Sequence, residues 1–205
     1  MLIDQNVKQF VETTASNEPV PGGGSIAALS GALGAALAGM VANLTVGKKK
    51  YVEVEDEMKK LVEDATKLQE KLVNLIDKDA ASFDDVMKAF KMPKETDEEK
   101  AARTAEIQKG MKYAASVPME TAETAFEIMA LAEAAVVRGN TNAVTDGAIA
   151  AMMGRNAVLG ALLNVRINLG SIKDEDFVAE MTKKCEDLEA SVQKRETEIL
   201  DQVSL

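Results

Sequence analysis

An all-α fold is predicted by three features of this 205-residue chain. Helical periodicity recurs almost throughout, and no stretch sustains the period-2 alternation of a strand. Aromatic residues make up only 3% and Trp is absent, so the apolar mass is Ala, Leu, Val and Met, the palette of packed helices. Residues 1–205 are read as a single domain, because no low-complexity linker or internal repeat marks a boundary.

Seven helices are expected, at about Asp4 to Ser16, Ser25 to Val46, Val54 to Phe90, Glu98 to Val117, Met119 to Arg138, Thr145 to Leu169 and Glu175 to Val203. Ser25 stands as N-cap of the second, and the third has a candidate break at Asp77 to Ala81. Thr96 with Glu99 forms a capping box, Pro118 is read as the separator of the fourth and fifth helices, Gly139 is a C-terminal stop, and Asp174 caps the last helix.

Two of these helices differ from the others. Ser25 to Val46 has no charge, with Leu29, Leu33, Leu37, Val41 and Leu44 on one stripe and Ala27, Gly31, Ala35 and Gly39 on another. Thr145 to Leu169 repeats the small-residue theme at Gly147, Ala150, Gly154, Ala157 and Ala161. Small residues four apart let helix axes approach closely, which places both helices at the centre of a bundle, flanked by long amphipathic helices. The second helix is long enough to span a membrane and Lys48 to Lys50 follow it. More than half of it is Ala, Gly, Ser, Asn or Thr, however, and amphipathic helices flank it, so it is read as a buried core helix. Two Gly/Ala-faced helices need more cover than five amphipathic partners supply, which predicts a symmetric homodimer.

The composition narrows the chemistry. The absence of His excludes Ser-His-Asp and Cys-His catalysis and imidazole ligation, leaving carboxylates, Lys, Tyr, Cys or water for proton transfer. A net charge of −10 speaks against nucleic-acid binding. Cys185 is the single cysteine, so no intrachain disulfide is possible. Met1 to Phe10 does not read as a secretory signal, and a cytoplasmic location is expected. No metal site and no permanently bound cofactor are expected.

Several segments stand out chemically. Pro21-Gly22-Gly23-Gly24-Ser25 leads into the uncharged helix, where exposed N–H groups and the positive dipole end make a cradle for an anion or carbonyl; the simpler reading is a tight turn. Lys48-Lys49-Lys50-Tyr51 follows the same helix. It suits helix capping and solubility, and equally a carboxylate tail beside a flat ring.

In the third helix the apolar heptad Met58, Leu61, Ala65, Leu68, Leu72 and Leu75 continues onto Asp79, followed by Ser82 and Phe83. A carboxylate where Leu is expected is either a general acid or base, or a structural hydrogen-bonding group. Asn140 and Asn142 precede Asp146 at the head of the second small-residue helix. Asn164 and Asn168 lie one turn apart in its apolar body, with Arg155 and Arg166 nearby, and buried amides need partners.

Taken together these residues resemble the cyclodeaminase/cyclohydrolase family, which includes bacterial methenyltetrahydrofolate cyclohydrolases and the cyclodeaminase half of formiminotransferase-cyclodeaminase. The resemblance is carried by PGGGSIAALSGALGAALAGMVANLTVGKKKY from Pro21 to Tyr51, DKDAASF around Asp79, GNTNAVTDGA and NVRINLG. Thr145-Asp146-Gly147 stands where such proteins are expected to carry Ser-Asp-Ala.

The resemblance implies an all-helical homodimer with a tetrahydrofolate derivative as substrate. The implied site holds Asp79, Asp146 and Lys49 as catalytic groups. Pro21, Gly22, Gly23, Gly24, Ser25, Lys48, Lys50, Tyr51, Phe83, Asn140, Asn142, Asn164 and Asn168 form the rest. The expected reaction is hydrolysis of 5,10-methenyltetrahydrofolate to 10-formyltetrahydrofolate, since no formiminotransferase segment accompanies the chain. Release of ammonia from 5-formiminotetrahydrofolate is the alternative, and a non-enzymatic helical interaction module is a second one.

Overall fold

A computed structural model describes residues 1–204, and among them every regular element is helical. Six α-helices are present: α1 (Val7–Thr14), α2 (Gly23–Asn43), α3 (Glu55–Phe90), α4 (Asp97–Arg138), α5 (Val144–Leu169) and α6 (Glu175–Leu200). Short 3₁₀ turns occur at Leu2–Asp4, Lys49–Val54 and Thr141–Ala143.

Three expectations about boundaries fail for identifiable reasons. The first helix splits, because Asn6 accepts the Gln9 N–H at 2.9 Å and Gln9 Oε1 accepts the Asn6 N–H at 3.2 Å. This capping box starts α1 at Val7. The third helix runs unbroken through Asp77 to Ala81.

Pro118 does not separate two helices but lies inside the 42-residue α4. Proline lacks the N–H that would serve Ala114 O, and Asn168 Nδ2 from α5 donates to that carbonyl instead, at 2.8 Å. The defect is satisfied from outside and the helix continues. The capping box at Thr96 and Glu99 and the Asp174 cap, which accepts the Phe177 N–H at 3.1 Å, form as read from the sequence.

The two small-residue helices, α2 and α5, are central and antiparallel. α2 packs against α3, α4 and α5, and α5 against α2, α4 and α6. A Cβ added to Gly34 would lie 3.1 Å from Ala150 O, and one at Gly31 would lie 3.3 Å from Ala157 Cβ. Glycine is what lets the two backbones come this close. Ala28, Ala35, Ala38, Ala150, Ala151, Ala157 and Ala161 are fully buried along this seam. One apolar core joins residues of all six helices, from Phe10 to Ile199.

Both α2 and the Thr141–Leu169 segment are long and apolar enough to cross a membrane. In each, half or more of the most apolar window is nevertheless buried by neighbouring helices (67% and 50%). What remains uncovered is one apolar face: Leu33 and Met40 on α2, Ile149, Met152 and Leu163 on α5 are 38–65% exposed.

Candidate active site

The head of α2 is held by a group from α3. Gly22 occupies the N-cap position and has no side chain to offer the first free N–H groups. Ser25, expected as N-cap, instead lies inside the first turn and is fully buried. Its hydroxyl is shared between Ile76 O and Asp79 Oδ2, at 3.0 Å each, and Asp79 also accepts from the Ser25 backbone N–H. The Asp79 carboxylate thus does from another helix what a capping side chain does locally, at the positive end of the α2 dipole.

Close approach at this point explains one glycine of the three. A Cβ on Gly24 would lie 2.2 Å from Asp79 Oδ1, so no side chain fits there. Gly22 meets only Pro19 O, at 3.4 Å, and Gly23 meets Asn164 Nδ2, at 3.2 Å. Asp79 and Asn164 therefore stand on either side of the loop. Burial pushes the Asp79 carboxyl above its ordinary 3.8, and the Ser25 hydroxyl and N–H oppose that rise.

A cleft of about 350 Å³ opens beside the carboxylate, within the range of small-molecule sites. Gly22, Gly23, Gly24, Asp79, Phe83, Asn164 and Asn168 line it, as does an apolar wall that sequence reasoning missed: Val86, Met87, Phe90, Met111 and Ile167. The signal was available, since Phe83, Val86, Met87 and Phe90 continue the α3 stripe beyond Asp79 at three- and four-residue steps. Pro21 is buried behind the loop. Arg155 and Arg166 turn away and pair with Glu196 and Glu189 of α6. The described lining holds one carboxylate and no cation.

The other expected site residues do not join this cleft within one chain. α2 has 21 residues, a rise of about 30 Å, and they cluster at its far end. Gly47, with φ +75°, turns the chain out of the helix, an arrangement that favours glycine, and presents exposed Lys48, Lys49 and Lys50.

Tyr51 Oη accepts the Thr141 N–H at 3.0 Å and lies 3.2 Å from Thr141 Oγ1, with Lys50 Nζ 5.2 Å from its ring. The Thr141 hydroxyl, its N–H and then Lys50 hold the phenol down to about 8. Asn140 is structural: its N–H donates to Thr45 Oγ1 at 2.8 Å, its Nδ2 to Leu44 O at 3.1 Å, and its Oδ1 accepts from Asn142 N. Asn142 is exposed, and Asp146 is half-buried in the first turn of α5. Asp146 and Asn164 are 18 residues apart on one helix, about 27 Å at 1.5 Å per residue. The single site expected from the sequence is therefore two poles in one subunit.

The sequence model of the Formiminotransferase-cyclodeaminase family matches residues 6–187. The chain belongs to this family. It is 43% identical over 185 residues to a methenyltetrahydrofolate cyclohydrolase of Methylorubrum extorquens, covering 90% of this chain and 89% of that one. It is 33% identical over 202 residues to the formimidoyltransferase-cyclodeaminase of Sus scrofa, covering 98% of this chain but 37% of that longer protein. The crystallised formiminotetrahydrofolate cyclodeaminase of Thermotoga maritima shares the fold at a TM-score of 0.89 and 33% identity, covering 99% of this chain and 98% of that one.

Proposed function

We propose that this family member is a methenyltetrahydrofolate cyclohydrolase, converting 5,10-methenyltetrahydrofolate and water reversibly to 10-formyltetrahydrofolate. The observation that carries the reading is a half-buried Asp79, its carboxyl pushed up by desolvation, in a cleft with no cation, in a chain 43% identical to a cyclohydrolase along nearly its whole length. The methenyl amidinium is a cation, and a carboxylate in a poorly solvated cleft stabilises it and the positive charge that persists in its transition state. Water adds to the carbon between N5 and N10. Asp79 takes one proton from the attacking water and returns it to N5; the C–N5 bond then breaks as the remaining hydroxyl proton leaves to solvent and the C=O forms, leaving the formyl group on N10. The tetrahydrofolate derivative enters as substrate, and no permanently bound cofactor or metal is part of the reading.

The active unit in this reading is a homodimer. The apolar face of α2 and α5 is the surface a second copy covers, through a self-complementary contact. A twofold axis crossing α2 near Leu33 sets the head of one α2 beside the tail of the other. Asp146, Lys49 and Tyr51 of one subunit then complete the cleft around Asp79 of its partner, with Lys48 to Lys50 placed for the carboxylates of the glutamate tail.

Formiminotetrahydrofolate cyclodeamination is the second reading, favoured by the likeness to the Thermotoga maritima enzyme. The same carboxylates would there assist N10 attack on the formimino carbon and departure of ammonia. Steady-state assays of the purified protein on both substrates separate the two. Faster turnover of 5,10-methenyltetrahydrofolate is expected, and faster ammonia release from 5-formiminotetrahydrofolate would reverse the assignment.

A further inference from the structure

A hydrogen bond between α4 and α5 belongs to neither helix. In an unbroken ladder residue 118 would donate to Ala114 O, but Pro118 has no N–H, and the carbonyl turns instead to Asn168 Nδ2 at 2.8 Å. The same nitrogen donates to Asn164 O at 3.0 Å. An amide held this way cannot flip, because flipping would bring its oxygen against two carbonyl oxygens. Asn164, one turn earlier, commits its Nδ2 to Gly160 O at 2.8 Å.

Both asparagines line the cleft; Asn168 spends both amide N–H groups on carbonyls and Asn164 one of its two, which fixes each amide with its Oδ1 left for a ligand. Both residues are half-buried, and neither oxygen is a buried atom without a partner. At a spacing of four residues the two side chains share one face of α5. With Asp79, they give the wall three acceptor groups and no cation.

We propose that Pro118 is a positioning residue for ligand recognition: by leaving Ala114 O open it locks Asn168, which together with Asn164 accepts hydrogen bonds from the amine-bearing edge of a pterin. This rests on the folate reading of the cleft. That edge carries an exocyclic amine and the neighbouring N3–H, adjacent donors that suit paired amide oxygens; the 4-oxo edge would set acceptor against acceptor. The pairing also requires that the amides not rotate, since a free amide offers donor and acceptor alike. A proline in a helix interior is costly, and here a neighbouring side chain is dedicated to its defect.

The test is calorimetric binding of 5-formyltetrahydrofolate and its 2-desamino-2-methyl counterpart to the full-length protein, with thermal melting alongside. Wild type is expected to favour the parent by about tenfold or more, the scale of leaving one acceptor without its hydrogen bond. Asn168→Leu and Pro118→Ala should each cut that preference to within about threefold, because one removes the acceptor and the other restores a helical donor that competes for Ala114 O. In the double variant P118A/N168L the backbone N–H at 118 satisfies Ala114 O. Stability lost in Asn168→Leu should then return while the preference stays lost.

A preference that survives in either single variant overturns the proposal, as does a double variant that melts no higher than Asn168→Leu. Wild type binding both ligands equally would sink the proposal while leaving the folate reading standing. Binding of neither ligand would sink the folate reading as well.

Discussion

The two ends of α2 are opposite environments built on one helix. At its head, Asp79 is half-buried, its carboxyl pushed up by desolvation and anchored by Ser25, in a space where Gly24 tolerates no Cβ. At its tail, Tyr51 keeps contact with solvent and its phenol is held down to about 8 by Thr141 and Lys50, beside two further exposed lysines. Desolvation dominates at the first end and hydrogen bonding to the ionised form at the second. The head is suited to holding and moving a proton; the tail is suited to holding an anion.

The largest effect that sharpens this contrast is expected at the head. Asp79→Asn should lower kcat by about a hundredfold or more, the scale of losing a general acid or base, with the helical content unchanged. Its melting temperature carries an independent signature. Because burial raises the Asp79 pKa, the folded chain binds that proton more tightly than the unfolded chain does, so stability falls as pH rises from the ordinary 3.8 through the higher folded value. The Asn variant lacks this loss. Relative to wild type its melting temperature should climb across that acidic window and stay level above it; a difference that shrinks with rising pH would contradict the desolvated-carboxylate account.

Next comes the question of whether the two ends meet. Asp146→Asn should also cost about a hundredfold in kcat. Mixed and reassembled with Asp79→Asn, it should recover about a quarter of wild-type activity: half of the dimers are mixed, and one of their two sites is intact. Absence of recovery between two folded, exchanging variants would show that each site is built within one chain.

A smaller effect separates glycines that look alike in the sequence. Gly24→Ala must displace the Asp79 carboxylate and should lower kcat by at least about tenfold, since misplacement near 1 Å costs up to about a hundredfold. Gly22→Ala, with only an ordinary contact 3.4 Å from Pro19 O, should retain near wild-type activity. Equal losses in the two would mean that the loop acts through flexibility rather than through close approach.

The smallest effect belongs to the tail. Lys49→Met should raise KM several-fold, more for polyglutamated substrate, with kcat changed far less. A loss confined to kcat would move Lys49 into the proton chemistry. As pH rises through about 8 the Tyr51 phenol becomes an anion beside the substrate's carboxylates, so KM should rise there and the rise should vanish in Tyr51→Phe.

Much of this arrangement was legible in the residues themselves. An Asp falling on a Leu heptad marked an unusual carboxylate, and the Gly/Ala stripes marked α2 and α5 as central, because backbone approach requires small side chains whatever the final topology. The sequence alone thus determined the helical class, the core pair and the unusual carboxylate, all of which follow from local periodicity and side-chain size.

Tertiary contacts decided the rest. Whether Pro118 ends a helix depends on Asn168, 50 positions away, reaching Ala114 O. Which glycine is obligatory depends on where Asp79 comes to lie. That Asp79 and Asp146 occupy opposite poles depends on the antiparallel pairing of α2 with α5, since the spacing of residues along a chain carries no information about which end of one helix meets which end of another.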